Sequence, residues 1–378
     1  MAPAHTAAVR IALAAFALLL AGFAWLWFRP NRAEVDPRLR LEHWDAVADG
    51  LHNSNTDLIL WQGDFLLVHD ARPYHFGSPE ARLVLRRSRD GRHWEELARF
   101  QVPGKDVRDP KLAVIGGRLH LFALPNSGRM ATPEGTVLAT SGDGVTWTPL
   151  TPIEPAGWLF WRPKSNDGGR TWYVPAYWKD HGKSILLRST DGTHWEQVSV
   201  IQEGNGNDET DIAFLPDGRL LATTRLEVTP DTVLGNYDGR TGIHVAEPPY
   251  TAWTAHESRL TRLDGPNLFS LDGQIFAVAR YQPAPNGFLT RMGGVLSRKR
   301  TAIYRVEPDR LVRLSDLPSS ADTSYAGVVV RDGFLWVDWY TSRVDRDWPW
   351  ILGMALRTDI KMARIPLDVL RGLSAATP

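Results

Sequence analysis

The sequence predicts an all-β chain, a six-bladed β-propeller that follows an N-terminal transmembrane signal-anchor helix. Three observations lead there: an apolar run at the N-terminus, six strand–turn–strand units, and a near-regular spacing of their turn glycines. The 378 residues would suit two average domains or one large β domain. The expected division is an anchor with a short linker over 1–34 and a propeller over 35–378.

At the N-terminus, Arg10 precedes IALAAFALLLAGFAWLWF (11–28), and Arg29 and Arg32 follow it. Eighteen uncharged apolar residues lie near the lower limit for a membrane span. No small-x-small cleavage site follows Phe28, which favours an uncleaved anchor over a cleaved signal peptide. A buried soluble helix fits poorly with flanking arginines at a chain end. Arginine on both sides sets orientation only weakly. A single N-terminal anchor most often displays a globular body outside, so a periplasmic or extracellular propeller is expected.

The body alternates short hydrophobic stretches with Gly, Asp, Asn and Pro turns. DLILWQGDFLLVHDAR (57–72), PKLAVIGGRLHLFALP (110–125) and PNLFSLDGQIFAVAR (266–280) each read as a strand, a tight turn and a second strand. Gly63, Gly117, Gly169, Gly218, Gly273 and Gly333 are 54, 52, 49, 55 and 60 residues apart. That period holds one four-stranded sheet and its connections, and sheets stacked radially leave only short edges. A β-sandwich has no reason to repeat near this interval. Residues 301–314 complete the fifth unit, while 35–50 and 352–371 flank the sixth and would tie the ring shut.

A second repeat lies on other hairpins. Ser88, Asp90, Gly91 and Trp94 recur as Ser141, Asp143, Gly144 and Trp147, and again as Ser189, Asp191, Gly192 and Trp195. Ser and Asp side chains can accept backbone N–H groups and lock such a turn, with the tryptophan folded beneath it. These are scaffold features. A fourth string, SNDGGRTW (165–172), sits between the first two strands of its unit and is read as coincidence.

Composition narrows the function. There are 43 basic and 43 acidic residues and no long charge run, which argues against a nucleic-acid partner. Cysteine is absent, so disulfides and thiol chemistry are excluded. No cofactor fingerprint appears, and His52, His69, His75 and His120 lack a local metal-ligand spacing, so no cofactor or metal is expected. Sixteen tryptophans suit a core and also the apolar faces of sugars, making a glycan the expected partner. Oligomeric state is left open.

The turns resemble the Asp-box (BNR) repeats of the sialidase, or neuraminidase, superfamily. The likeness covers roughly 50–342 and is most specific from Asp57 to Trp94. It implies that Arg72, which ends its strand, belongs to a triad binding the substrate carboxylate. It implies the same for Arg225, sixteen residues after Glu209. Glu209 then corresponds to the glutamate that activates a nucleophilic tyrosine, here Tyr325. Three departures stand out. Asn55-Thr56-Asp57 occupies the place of the first triad arginine, the loop PYHFGSPEARL has no aspartate for the acid/base position, and Arg280 is out of place as a triad member.

In a propeller the inner strands begin beside the axis, so distant residues meet at one mouth. Asp57, Arg108, Asp109, Arg162, Glu209 and Asp211 are therefore candidates, with Asn267, Asp322 and Tyr325. The catalytic set is Glu209, Tyr325 and Asp109. Arg72, Arg225, Arg280, Arg108, Arg162, Asp57 and Asp211 form the substrate-binding set, because guanidinium forks match carboxylates. An interblade salt-bridge network is the competing use of the same charges. The expected activity is a sialidase-like glycoside hydrolase acting on an acidic or decorated glycan. A non-catalytic glycan-binding or envelope-assembly propeller and a polysaccharide lyase on uronic-acid glycans are the alternatives.

Overall fold

A computed structural model describes residues 2–28, 32–227, 239–283 and 297–377. The N-terminal helix spans Ala2–Phe28. Within it Ala7–Trp25 has a mean hydropathy of 2.2 and no buried residue, so length and composition suffice for a membrane crossing.

The other described residues form six antiparallel sheets of a β-propeller, with short helices beside them. The first blade is His52–Trp61, Asp64–Arg72, Arg82–Ser88 and Glu95–Phe100. The second is Asp106–Ile115, Arg118–Ser127, Val137–Ser141 and Thr151–Pro152, with Thr132–Pro133 paired beside it. Trp158–Phe160, Trp172–Trp178, Lys183–Ser189 and Glu196–Glu203 make the third. The fourth is Thr210–Phe214, Leu220–Leu226, Arg240–Ala246 and Thr254–Ser258, and the fifth is Asp264–Leu271, Gln274–Tyr281, Arg300–Val306 and Leu311–Asp316.

The sixth blade closes the ring. Its strands Val328–Arg331, Phe334–Thr341 and Asp359–Pro366 come from the C-terminal part, and its outermost strand is Glu42–Val47. Pairing of Glu42 with Arg364 and Trp44 with Met362 joins the two ends of the propeller, as the flanking segments suggested. The sequence reading did not foresee the helix Leu367–Ala376. Its Leu367, Leu370 and Leu373 pack into the core between the fifth and sixth blades.

Four inner hairpins turn on two consecutive left-handed residues. These are Gln62-Gly63, Gly116-Gly117, Asp272-Gly273 and Asp332-Gly333, with φ between 50° and 86°, and the longer connection of the third blade holds a fifth such pair, Gly168-Gly169. The Ser/Asp turns share one bonding scheme. Asp143 Oδ1 accepts from the backbone of Val145 (2.9 Å) and Thr146 (2.7 Å), and Trp147 Nε1 donates to Gly144 O at 2.9 Å. Each turn also meets the preceding blade. A Cβ on Gly91 would stand 2.6 Å from the Trp336 ring, and one on Gly144 would stand 2.9 Å from Trp61.

The fourth string corrects the sequence reading. Asp167 Oδ1 accepts from Arg170 and Thr171 N at 3.0 Å, and Trp172 Nε1 donates to Gly169 O at 3.0 Å. The turn thus uses the same kinds of bond, in a loop one residue longer, although it follows the first strand of its blade. Local hydrogen bonding, not position in the sheet, dictates its shape.

Candidate functional site

Irregular inner strands build the site. Asn55, Asp109, Gly265 and Tyr325 all have left-handed backbones, with φ of 48°, 53°, 58° and 50°. The first three interrupt the register of the first, second and fifth blades, between Ser54 and Asp57, Arg108 and Lys111, and Asp264 and Asn267. Around Tyr325 the innermost strand of the sixth blade breaks into Thr323–Ser324 and Val328–Arg331. Such bulges re-aim side chains. Asn55 Nδ2 donates to Asp109 Oδ1 at 2.8 Å across two blades.

Tyr325 and Glu209, on the sixth and fourth blades, meet directly. The Tyr325 hydroxyl donates to Glu209 Oε1 in a short hydrogen bond. Glu209 Oε2 accepts from Gly265 N at 2.6 Å and faces Arg225 Nη1 at 2.9 Å. Tyr325 and Glu209 are 8% and 5% exposed, so the pair sits in a low-dielectric setting. Burial pushes the Tyr325 phenol well above its ordinary value; the Glu209 charge adds to this, and Arg280 and Arg225 oppose it. The phenol is therefore neutral at pH 7 and held against the Glu209 carboxylate.

Two buried arginines flank the pair. Arg225 Nε donates to Asp208 Oδ1 at 2.6 Å. Arg280 Nε donates to Asp264 Oδ2 at 3.2 Å, and its guanidinium lies 5.4 Å over the Tyr325 ring and 4.8 Å over Trp350. Its Nη1 has no hydrogen-bond partner among the described residues and stands 3.9 Å from Asp322 Oδ1. Arg72 donates to Ser54 Oγ (2.7 Å) and Asp106 Oδ1 (3.2 Å), while its Nε lacks a partner among the described residues. Arg108 binds the same Asp106 at 2.6 Å and the carbonyl of His75 at 3.2 Å, anchoring the loop after Arg72.

Asp109 is half-buried, and burial raises its carboxyl; Lys111 and Arg108 oppose the shift, while Glu209 adds to it. That influence of Glu209 places Asp109 in the same electrostatic cluster.

Three expected site residues lie in the ring's own bonding. Arg162 donates to Asp57 Oδ1 (2.9 Å), Pro266 O (2.8 Å) and Ala326 O (2.9 Å). Asp57 Oδ2 accepts from Leu112 N at 2.8 Å. Asp211 Oδ2 accepts from Leu268 N at 2.7 Å and Lys164 Nζ at 3.0 Å. Both oxygens of each carboxylate are thereby engaged, with Asp211 Oδ1 taken by Ile212 N. Asn267 Nδ2 likewise donates to Ala326 O at 2.9 Å.

The sequence reading missed Asp208, Glu227, Arg262 and Asp264 as partners of the arginines. Asp264 Oδ2 accepts from Arg262 at 2.8 Å, and Glu227 lies 3.5 Å from both Arg225 and Arg262. Asp208 adjoins Glu209 in sequence, and that adjacency was the available signal. Trp350, in the helix Trp350–Ala355, carried none.

The fold is that of the sialidase-like six-bladed β-propellers. Trypanosoma rangeli sialidase in complex with sialic acid matches with a TM-score of 0.64 and 12% identity, over 91% of this chain and 61% of that one. The same sialidase with 2,3-difluorosialic acid, described as a covalent intermediate, gives 0.62 and 12%, over 90% and 60%. Phage phi92 endosialidase gives 0.63 and 11%, over 86% and 69%. The chain thus spans 61% of the length of the sialic-acid-bound trypanosomal sialidase. No family model and no curated protein matches the sequence.

Proposed function

We propose that the chain is a sialidase-like glycoside hydrolase, acting on a glycan with an acidic sugar and displayed on a membrane by its N-terminal helix. The observation that carries this reading is the buried hydrogen bond from Tyr325 to Glu209 between two flanking arginines. A neutral phenol is a weak nucleophile unless a base removes its proton as it attacks. Glu209 is in place to take that proton. The tyrosine oxygen would bond to the anomeric carbon while the glycosidic C–O bond breaks, and water would later release the sugar.

Arg280 and Arg72 each carry a buried N–H with no acceptor among the described residues, a feature suited to a substrate carboxylate. Arg225 holds Glu209 in position through their ion pair. Asp109 is the proposed proton donor, because its raised carboxyl is half-buried and the loop after Arg72 offers only the exposed Glu80. Arg108 supports that loop. Asp57, Asp211 and Arg162 are assigned to ring closure.

A binding-only propeller is the second reading. It is favoured by the Arg225–Glu209 ion pair, which together with Gly265 N occupies one oxygen of the carboxylate. Aryl glycosides of acidic sugars, followed by mass analysis after a 2,3-difluoro sugar probe, separate the two. Turnover with a label on the Tyr325 peptide is expected. Binding without turnover or label would leave a lectin-like protein, and an unsaturated product absorbing in the ultraviolet would indicate a lyase.

A further inference from the structure

Where the first and sixth blades meet, three potential ligand atoms converge on a spot the proposed reaction does not use. They are His52 Nε2, His75 Nδ1 and Asp322 Oδ2, all within 4.8 Å of one another. His52 opens the first inner strand, His75 lies in the loop after Arg72, and Asp322 immediately precedes the broken inner strand of the sixth blade.

The hydrogen bonding around them is informative. His52 is fully buried, and its Nδ1 lies 2.7 Å from Leu356 O. A carbonyl oxygen only accepts, so Nδ1 carries the ring's hydrogen. In the neutral ring Nε2 is then a bare lone pair. Among the described residues it has no hydrogen-bond partner, and it faces Asp322 Oδ2 at 3.2 Å. His75 Nδ1 stands 2.7 Å from that same oxygen. The other oxygen, Oδ1, accepts from Trp350 Nε1 (2.8 Å) and Tyr340 OH (3.2 Å). A buried lone pair facing a carboxylate is repulsive unless positive charge lies between them.

We propose that His52, His75 and Asp322 bind one zinc ion, clasping the first blade to the sixth. Two imidazoles and one carboxylate are a zinc-type donor set, whereas calcium and magnesium prefer oxygen alone. Tetrahedral bonds of about 2.0–2.1 Å put ligand atoms about 3.3 Å apart. The 3.2 Å pair already fits, and the 2.7 Å pair opens by a small movement of His75. The outer contacts also match a metal site: a carbonyl fixes the His52 tautomer, and two donors hold the carboxylate's second oxygen. The His75 side chain is 20% exposed, which gives the ion a route from solvent. The site adjoins Arg280 but stands independently of the proposed hydrolase activity.

The test uses the full chain in detergent, free of any tag and stripped with a chelator. Zinc chloride is titrated calorimetrically, and bound metal is counted by plasma mass spectrometry. One zinc per chain and a Tm that rises with zinc concentration are expected. His75→Ala should weaken binding by on the order of a hundredfold, while His181→Ala, in the separate cluster with Asp208 and Glu227, should leave it unchanged. Asp322→Asn, read by the same titration, serves if His75→Ala does not fold. No uptake, or uptake that His75→Ala and Asp322→Asn both leave intact, overturns the proposal and leaves a trio held by protons alone.

Discussion

Gly265 lies against the ring of Tyr325 so closely that a Cβ there would stand 2.8 Å from it. The same glycine donates its N–H to Glu209 at 2.6 Å, so one backbone position seats both members of the proposed pair. Its left-handed φ of 58° adds a second reason for glycine.

Gly265→Ala should therefore displace Tyr325 and the carboxylate together. Overpacking costs about 1–3 kcal/mol, and turnover should fall far more than stability requires. Steady-state kinetics beside a thermal melt of the same preparation checks this. An active Ala variant with an unchanged kcat would detach Tyr325 from the reaction.

Glu209→Gln and Tyr325→Phe should each lower kcat by roughly 10²–10⁴. Residues acting as one unit are non-additive, so the double variant should be no worse than the poorer single one. Multiplying losses would mean that the two side chains act separately. Sugar affinity, measured calorimetrically, should change little in Tyr325→Phe.

The Ser/Asp turns predict an acid-sensitive scaffold. Backbone N–H groups hold Asp90 and Asp143 well below the usual carboxylate range, chiefly through His93 and Thr146, and hold Asp167 at about 2, chiefly through Thr171. A depressed folded value stabilises fully above the unfolded value of about 4 and is lost as pH falls through the folded one. Asp143→Asn combined with Asp90→Asn should lower Tm at pH 7 but much less at pH 2. Melts across that range decide it; an equal loss at both ends would rule out the charge as the source.

Closure predicts a third kind of sensitivity. Trp44, on the outermost strand, donates to Gly91 O at 2.9 Å and meets the Trp336 ring edge-on at 6.0 Å. Trp44→Ala should cost about 2 kcal/mol, less than a fully buried tryptophan because the ring is half-exposed. Denaturant unfolding measures it, and a cost near zero would mean that this strand does not secure the ring.

Short-range chemistry was legible in the residues. Two-residue glycine turns, the Ser/Asp/Gly/Trp strings and the apolar N-terminal run each act within a dozen or so neighbours, so their shape follows from local bonding and sterics. Their repetition implied six sheets, and the flanking strands implied how the ring shuts. Glu209 and Tyr325 were legible as a pair only through a resemblance.

What tertiary structure alone decided is which charges face one another. Asp57, Asp211 and Arg162 looked like Asp109 and Arg280 in sequence, yet the first three bind backbone groups of other blades, Arg162 reaching across the axis from the third blade to the fifth. His52, His75 and Asp322 had no spacing in common, because ring closure brings Asp322 next to a first blade that lies 247 residues away from it at His75. Hydrogen bonds and ion pairs depend on distances of a few ångströms between separate blades. The packing of the blades sets those distances, which no local pattern encodes.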